Sequence, residues 1–558
     1  MNRTPKMNPH TPLPAAGGPR LTRRQTLLTA AGGMTLLIAG GTAQRLSAAT
    51  EGQVIIGFSQ EPTVMNPHLP HIEVDEGIHF NVFDPLFVVD PDGVYQPRLA
   101  AEIPTVENGG ISPDGLKWRI KLREGVTWHD GTPFTAEDVK YTIELQADPD
   151  FRAMRRMGHE LVRNIEIVSD HELTWEMAEP FAPYAALLSW TFIVPKHVLG
   201  SAEDPNTAPF NNRPIGTGAY RFHERVAGDY IMLKANEDYW GEGPHIETVV
   251  FRYIPDLTVL YTQFRTGDID VAGLAGILPD RFAEAQDLAD REAVAAPGAT
   301  MESISFNMGL PQFQDHAVRR ALYHAIDKET IVSALYSDIH RVTESFLPQE
   351  SFFHNDDLPQ GEFNIDLANQ ILDEAGWERG PDGIRAKDGV RLSFLNSTTA
   401  GHHLRQQAQQ FIQQSFAQIG VEMEISNHPP AVMWGEYWMM SQFETAMVGI
   451  NFTTGPDPDV TNYLHSASIP AQGGAGQNTW QFVNEEVDAL LEEGARNFEP
   501  EERLEIYHRV QEIVREELPM LPIFQYSLLR GHRSGLEGFR PNVNVRIETW
   551  NVNEWRWA

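Results

Sequence analysis

Cysteine is absent from all 558 residues. Its absence excludes disulfides, thiolate zinc sites, iron–sulfur clusters and cysteine nucleophiles, and a lipid joined through an N-terminal cysteine. Basic residues are scarce: 43 Lys and Arg stand against 77 Asp and Glu, a formal net charge of −34. So acidic a surface repels phosphate and argues against a nucleic-acid partner. Long apolar runs are also missing, and nothing beyond residue 50 approaches the ~20 residues of a membrane span. What is present is material for packed cores. Apolar residues make up 41% and aromatics 10%, which excludes a disordered acidic chain. At roughly 150 residues per domain, the length predicts two to four domains.

Catalytic patterns are missing as well. There is no G-x-S-x-G elbow. His159-Glu160 is followed by Leu161-Val162-Arg163, and His171-Glu172 by Leu173-Thr174-Trp175, so H-E-x-x-H is absent. Gly216-Thr217-Gly218-Ala219-Tyr220-Arg221 lacks the third glycine of a dinucleotide loop, and no Walker lysine exists. His402-His403 reads as a polar loop rather than a metal pair. Asp457-Pro458-Asp459 reads as a Pro-fixed turn with a cap rather than two acid/base carboxylates. No catalytic residue, metal or cofactor is expected.

The N-terminus has its own composition. Residues 1–49 hold six basic residues (Arg3, Lys6, Arg20, Arg23, Arg24, Arg45) and no acid. A mildly apolar stretch runs from Thr26 to Gly41, and the small residues Ser47-Ala48-Ala49 follow. This is the layout of a secretory signal, with Arg23-Arg24 as a twin-arginine pair. Thr26 stands where such signals usually carry Leu or an aromatic. The expectation is a periplasmic protein, soluble and without a lipid anchor.

Periodicity then predicts elements. Gln53–Phe58 and Leu116–Leu122 read as strands, Val126–His129 begins another, and Thr135 with Asp138 opens a helix as in a capping box. Val390, Leu392 and Phe394 alternate as a strand, 396–403 is a polar loop, and Leu404 to Ile419 carry a helical stripe. Gly420 stops that helix, and Val421, Met423 and Ile425 form a second strand. Such a unit is a right-handed parallel crossover. The loop at the C-terminal end of its first strand faces the ligand crevice in open α/β sheets. Asn484 and Pro500 open two more helices. Trp434 and Trp438 sit at i and i+4, on one face of a helix, where two indoles stack on a ligand or fill a core.

Several segments in order resemble one family, the extracytoplasmic solute-binding proteins of the peptide, opine and nickel class (solute-binding family 5). They are Glu61-Pro62 to Asn66-Pro67, Leu116 to Val139, Pro214 to Tyr220, Thr266-Gly267-Asp268-Ile269-Asp270, Phe306-Asn307 with Val318 to Asp327, Ile371 to Trp377, and Pro519 to Phe524. The resemblance implies an α/β, periplasmic-binding-protein-like fold, with two lobes, a hinge and an extra N-terminal subdomain. It implies lobe I over 50–296 with the subdomain at about 86–185, lobe II over 297–516, and a return to lobe I over 517–558. The implied crossings lie near 297–305 and 517–525. The implied function is capture of a peptide or similar polar solute for the permease of an ABC importer, by a monomer without enzymatic activity. A secreted hydrolase is the alternative of a different class.

One departure bears on the ligand. Peptide-binding members carry a Trp and, three residues on, an Asp for the peptide amine, ahead of a D-P turn. Here those positions hold Asn451 and Thr454, ahead of Asp457-Pro458. A buried ammonium without a carboxylate is costly. Either a hydroxyl- or amide-rich ligand such as an oligosaccharide or opine is favoured, or Asp457 or Asp459 reaches the amine. The candidate solute-binding residues are Ser59, Glu61, Thr398, Thr399, His402, Trp434, Trp438, Asn451, Phe452, Thr454 and Asp457.

Overall fold

The computed structural model describes residues 52–558, apart from Ala275 and Thr454. The expected export signal at 1–49 lies outside the described residues, as does the candidate Thr454. Among the described residues no helix is long and apolar enough to cross a membrane.

The main element is a mixed eleven-stranded sheet. Its strands are β1 Gln53–Phe58, β2 Tyr220–Val226, β3 Tyr230–Ala235, β4 Thr248–Tyr253, β5 Val271–Ala272, β6 Arg291–Phe306, β7 Arg341–Val342, β8 Ser393–Ser397, β9 Glu422–Ile425, β10 Thr445–Asn451 and β11 Met520–Arg533. Their order is β9-β8-β10-β6-β11-β5-β1-β4-β3-β2, with β7 beside β11. In β1 every residue from Val54 to Phe58 is buried, as expected of a strand covered on both faces.

β6 and β11 pair antiparallel along their length, from Arg291 opposite Arg533 to Ser305 opposite Met520. Their register breaks between Pro297 and Met301. On one side of that break lies a core built around Val54, Phe58, Phe83, Phe251 and Trp555. On the other side the sheet has a core on each face. Met447 of β10 packs with Phe313, Phe394 and Phe416. Ala446, Val448 and Ile450 pack with Phe443, Trp480 and Tyr507. The alternation along β10 is the period of two that a strand imposes.

The 390–425 unit forms in outline, but Val390–Arg391 pairs in a separate three-stranded sheet and the main-sheet strand is Ser393–Ser397, taking in the first two residues of the expected 396–403 loop. The helix spans His403–Gln418, β8 and β9 are parallel, and β10 is parallel to β8. At the first turn of the helix, Arg405 gives a two-pronged ion pair to the fully buried Glu302 of β6, at 2.7 and 2.8 Å. Tyr526 of β11 donates to the same carboxylate at 2.6 Å. One buried charge thus fastens the helix to both long strands.

A separate core running from Leu86 to Ile193 belongs to a smaller unit. It contains a three-stranded sheet of Lys117–Lys121, Glu172–Met177 and Val162–Ser169, and the helix Ala136–Ala147. Trp118 and Trp175 are cross-strand partners with stacked rings 5.9 Å apart. The capping box at Thr135 and Asp138 is present. Two local expectations fail. Val126–His129 makes only an isolated bridge, Thr127 to Pro133, because the Asp130-Gly131 turn closes at once. Trp434 and Trp438 do not share a helix: Pro430–Met433 and Glu436–Met439 are separate short helices, parted by Gly435 at φ −88°, ψ −143°.

The Gly216-Thr217-Gly218 turn seals this unit against the first core. A Cβ on Gly216 would stand 1.7 Å from the Val82 carbonyl oxygen, so only glycine fits. The Gly216 N–H donates to Nδ1 of His129 at 3.1 Å, and Nε2 of His129 donates to the Gly218 carbonyl at 2.9 Å. Burial lowers the His129 pKa to about 4, so this staple uses a neutral imidazole.

Candidate functional site

β8, β9 and β10 run parallel, so the segments after Ser397, Ile425 and Asn451 leave the same edge of the sheet. β10 is next to β6, which places residues 451–459 beside the register break at 297–301. Asx turns shape the segment: the Asp459 N–H donates to Asp457 Oδ1 at 2.9 Å, and the Thr461 N–H to Asp459 Oδ1 at 3.2 Å. Gly455 has φ +59°, a left-handed conformation suited to glycine. A Cβ there would lie 3.8 Å from the Trp190 indole nitrogen, at the wall of a cavity.

That cavity is about 280 Å³. Thr453, Gly455 and Asp457 line it together with Ala299, which lies within the register break. Tyr95 and the Asp92-Gly93 hairpin tip close it from the smaller unit, and Phe352 and Phe353 from the 348–353 loop. Two annexes adjoin it through Thr453. One of about 30 Å³ is lined by Arg155, Trp190, Asn451, Asn544 and Arg546. Another of about 100 Å³ is lined by Met157, Phe452, Asp459, Tyr463 and Arg546. Segments as far apart in the chain as Asp92 and Arg546 therefore meet at one place.

Charge is distributed unevenly there. Asp457 is buried and takes both prongs of Arg503, at 2.9 and 3.0 Å. Burial raises the Asp459 carboxyl, and the neighbouring Asp457 adds to the rise. Arg155 ion-pairs with Glu76 at 2.9 Å and lies over the Trp190 ring at 4.9 Å. Burial works against ionised Glu76, yet His71 and Arg155 hold its carboxyl at about 2. Among the described residues no cluster of three or more His, Asp or Glu is placed to hold a metal ion.

The candidate residues within the described part of the chain divide into four groups. Asn451, Phe452 and Asp457 border the cavity or its annexes. Thr398, Thr399 and His402 lie on the same sheet edge but do not line it. Thr398 is fully buried and donates to the Met447 carbonyl at 2.8 Å. Thr399 bridges to His428, and His402 caps its helix by accepting from the Arg405 N–H at 3.3 Å. Trp438 is 3% exposed and stacks on Phe443, whereas Trp434 is 41% exposed beside it. Ser59 and Glu61 stand apart. Glu61 accepts from Arg225 at 2.8 Å and from the Gly228 N–H at 3.1 Å, pinning the β2–β3 hairpin.

Sequence reasoning missed Arg155, Trp190, Ala299, Asn544, Arg546 and the aromatic wall. Pro297-Gly298 was the one local signal, a strand breaker inside an expected crossing. The others come from turns far apart in the chain and carry no motif.

Comparison with known proteins agrees with this architecture. The sequence profile of the bacterial extracellular solute-binding proteins, family 5 middle region, matches residues 94–471. The oligopeptide-binding protein AppA of Bacillus subtilis is 26% identical over 518 residues, covering 90% of this chain and 91% of the relative. The crystal structure of that AppA with a nonapeptide superposes with a TM-score of 0.74 at 25% identity, over 92% of this chain and all of the other. NikZ of Campylobacter jejuni, solved with Ni(L-His), gives 0.78 at 26% identity, over 91% of this chain and all of NikZ. Two-lobed and α/β, the chain belongs to the family 5 bacterial extracellular solute-binding proteins, which are transport binding proteins and not enzymes.

Proposed function

We propose that this chain is the solute receptor of an ABC importer and holds a peptide, or a polar solute of similar size, between its lobes for delivery to the membrane permease. The observation that carries this reading is the cavity at the 297–301 register break, walled by segments from both sides of it. Lobe I would comprise 50–296, with the smaller unit at about 86–185, and the return segment 517–558. Lobe II would comprise 297–516. β6 and β11 would then be the two crossings, flexing where their ladder is already interrupted. A cavity of about 280 Å³ with annexes sits near the lower end of the ~300–1,000 Å³ common for small-molecule sites, in keeping with a short peptide.

The receptor would act as a monomer in the periplasm without a lipid anchor, after export through the twin-arginine signal at 1–49. The polar set of Asn451, Thr453 and Asn544 supports a second ligand class, an oligosaccharide or opine. Asp457 is already committed to Arg503, which leaves a peptide amine without that partner.

The test is binding without turnover. Purified protein should melt several degrees higher with a binding solute, and the solute should be recovered chemically unchanged. Recovery of cleaved products would replace this reading with the hydrolase.

A further inference from the structure

We propose that Gln525 is a positioning residue: it ties the break in the crossing strands to the loop that walls the cavity, so that flexing of β6 against β11 and movement of that wall are one event. This deepens the proposed function and rests on the cleft being the solute site. The first observation is a gap in the ladders. Between Pro297 and Met301 the pairing of β6 with β11 shifts register, and the pairing of β6 with β10 starts only at Thr300. Gly298 and Ala299 therefore belong to neither ladder. A backbone carbonyl inside a protein needs a partner, and for Gly298 the partner is a side chain: Gln525 Nε2 donates to its oxygen at 2.9 Å. Gln525 stands opposite Met301, where the pairing resumes, and is 2% exposed.

The second observation is where the rest of that amide goes. Its Nε2 also donates to Glu350 at 2.8 Å, and its Oε1 accepts the Gln349 N–H at 2.9 Å. Glu350 is ion-paired in turn with Arg341 of β7, the strand beside Gln525. Both donor hydrogens and one acceptor position of the side chain are then in use, which fixes its orientation. One buried amide so holds the carbonyl left over by the break and two consecutive residues of the 348–353 loop. That loop puts Phe352 and Phe353 on the cavity, and Ala299, next to Gly298, lines the same cavity. When β6 flexes at its break, the Gly298 carbonyl moves and the shared amide carries the movement to Gln349 and Glu350. A solute that seats Phe352 and Phe353 biases the break through the same bonds. A residue that only filled space would need none of them.

The experiment compares the wild type with Gln525→Met, which keeps length and volume, and with Gln525→Glu, alone and combined with Glu350→Gln. The probe is a casein digest, and peptide capture and release are followed by native mass spectrometry well below every variant's melting temperature. Gln525→Met should release captured peptides roughly tenfold faster, the scale of one lost hydrogen bond. Gln525→Glu keeps the acceptor for Gln349 but sets a second carboxylate against Glu350, and should also release faster. Adding Glu350→Gln gives the new carboxylate a donor and should restore part of the retention. A purely structural residue would lower the melting temperature and leave release unchanged; that result, or no rescue by Glu350→Gln, would overturn the proposal. Hydrogen exchange of the solute-free proteins reads the link without a peptide. Gln525→Met should speed exchange by roughly fivefold or more in both 298–301 and 349–353, with 445–451 as in wild type. Acceleration confined to one of those two segments would overturn the link and leave the receptor reading standing. A wild type that captures no peptide would overturn peptide capture, and the exchange result would then decide the link alone.

Discussion

Asp457→Asn tests how the cavity wall is built. Asp457 is 7% exposed and makes two jobs of one side chain. Its Oδ1 accepts the Asp459 N–H at 2.9 Å, a turn contact that Asn can keep. Its charge balances Arg503, whose Nε also donates to the Gly494 carbonyl at 3.0 Å and whose guanidinium lies 5.5 Å from the Tyr507 ring. The substitution therefore removes charge and little else. Removing one partner of a buried ion pair costs ~3–5 kcal/mol, because the other charge is stranded. For a cooperative unit of 150–250 residues each kcal/mol moves Tm by about 2–4 °C, so a fall of roughly 6–20 °C is expected. Arg503→Met in the same chain removes the stranded cation and should recover at least half of the loss, a coupling of about 2 kcal/mol. Scanning calorimetry of the two single variants and the double variant measures this directly. With both carboxylate oxygens engaged, affinity for free-amine peptides should change by less than about threefold on the scale of this handling of charge. A single variant melting within 2 °C of wild type, or strictly additive losses, would refute the reasoning.

Three further outcomes are expected. Trp438→Ala should cost ~3–5 kcal/mol in urea unfolding as a core truncation, and Trp434→Ala, at the exposed neighbour, under ~1 kcal/mol; equal costs would contradict the separation of the two helices. Burial lowers the pKa of His68 to about 3 and of His129, His159 and His340 to about 4. The unfolded chain takes up these protons near pH 6.5 and the folded one only near 4, so stability should fall as pH drops between those values. Glu73, raised to about 7 by burial, offsets one proton, and three remaining protons give up to ~4 kcal/mol per pH unit near pH 5; a flat stability profile from pH 6.5 to 4.5 would count against the buried neutral histidines. Thr454→Asp should strengthen binding of free-amine peptides, by the register of the D-P turn at 457–458, and a dipeptide series showing no gain would reject that register.

Local chemistry made much of the fold legible. The run Gln53–Phe58 marked β1, period-two alternation marked the region of β8, the stripe from Leu404 to Ile419 gave its helix, and Thr135 and Asn484 marked helix starts because caps depend on neighbours in the chain. Where a short turn or one glycine decides the outcome, pattern failed: Asp130-Gly131 closed a strand at a single bridge, and Gly435 split the Trp434–Trp438 helix. The cleft was legible only at 451–457, where a D-P turn follows a buried strand. Its cations were not. Arg155 and Arg546 are nearly 400 residues apart in turns without periodicity, and only the folded chain brings them to one annex. Thr398 and Trp438 show the converse, since residue type suggested a ligand contact while burial gives each a partner in the fold.

The most direct test of the central claim is native mass spectrometry of the protein recovered from the periplasm of cells that export it. The account predicts a one-to-one complex with a peptide or a polar solute of similar size, released unchanged when the protein is unfolded. A chain recovered without solute that also fails to take up any from a casein digest, or one that releases its solute cleaved, would contradict it.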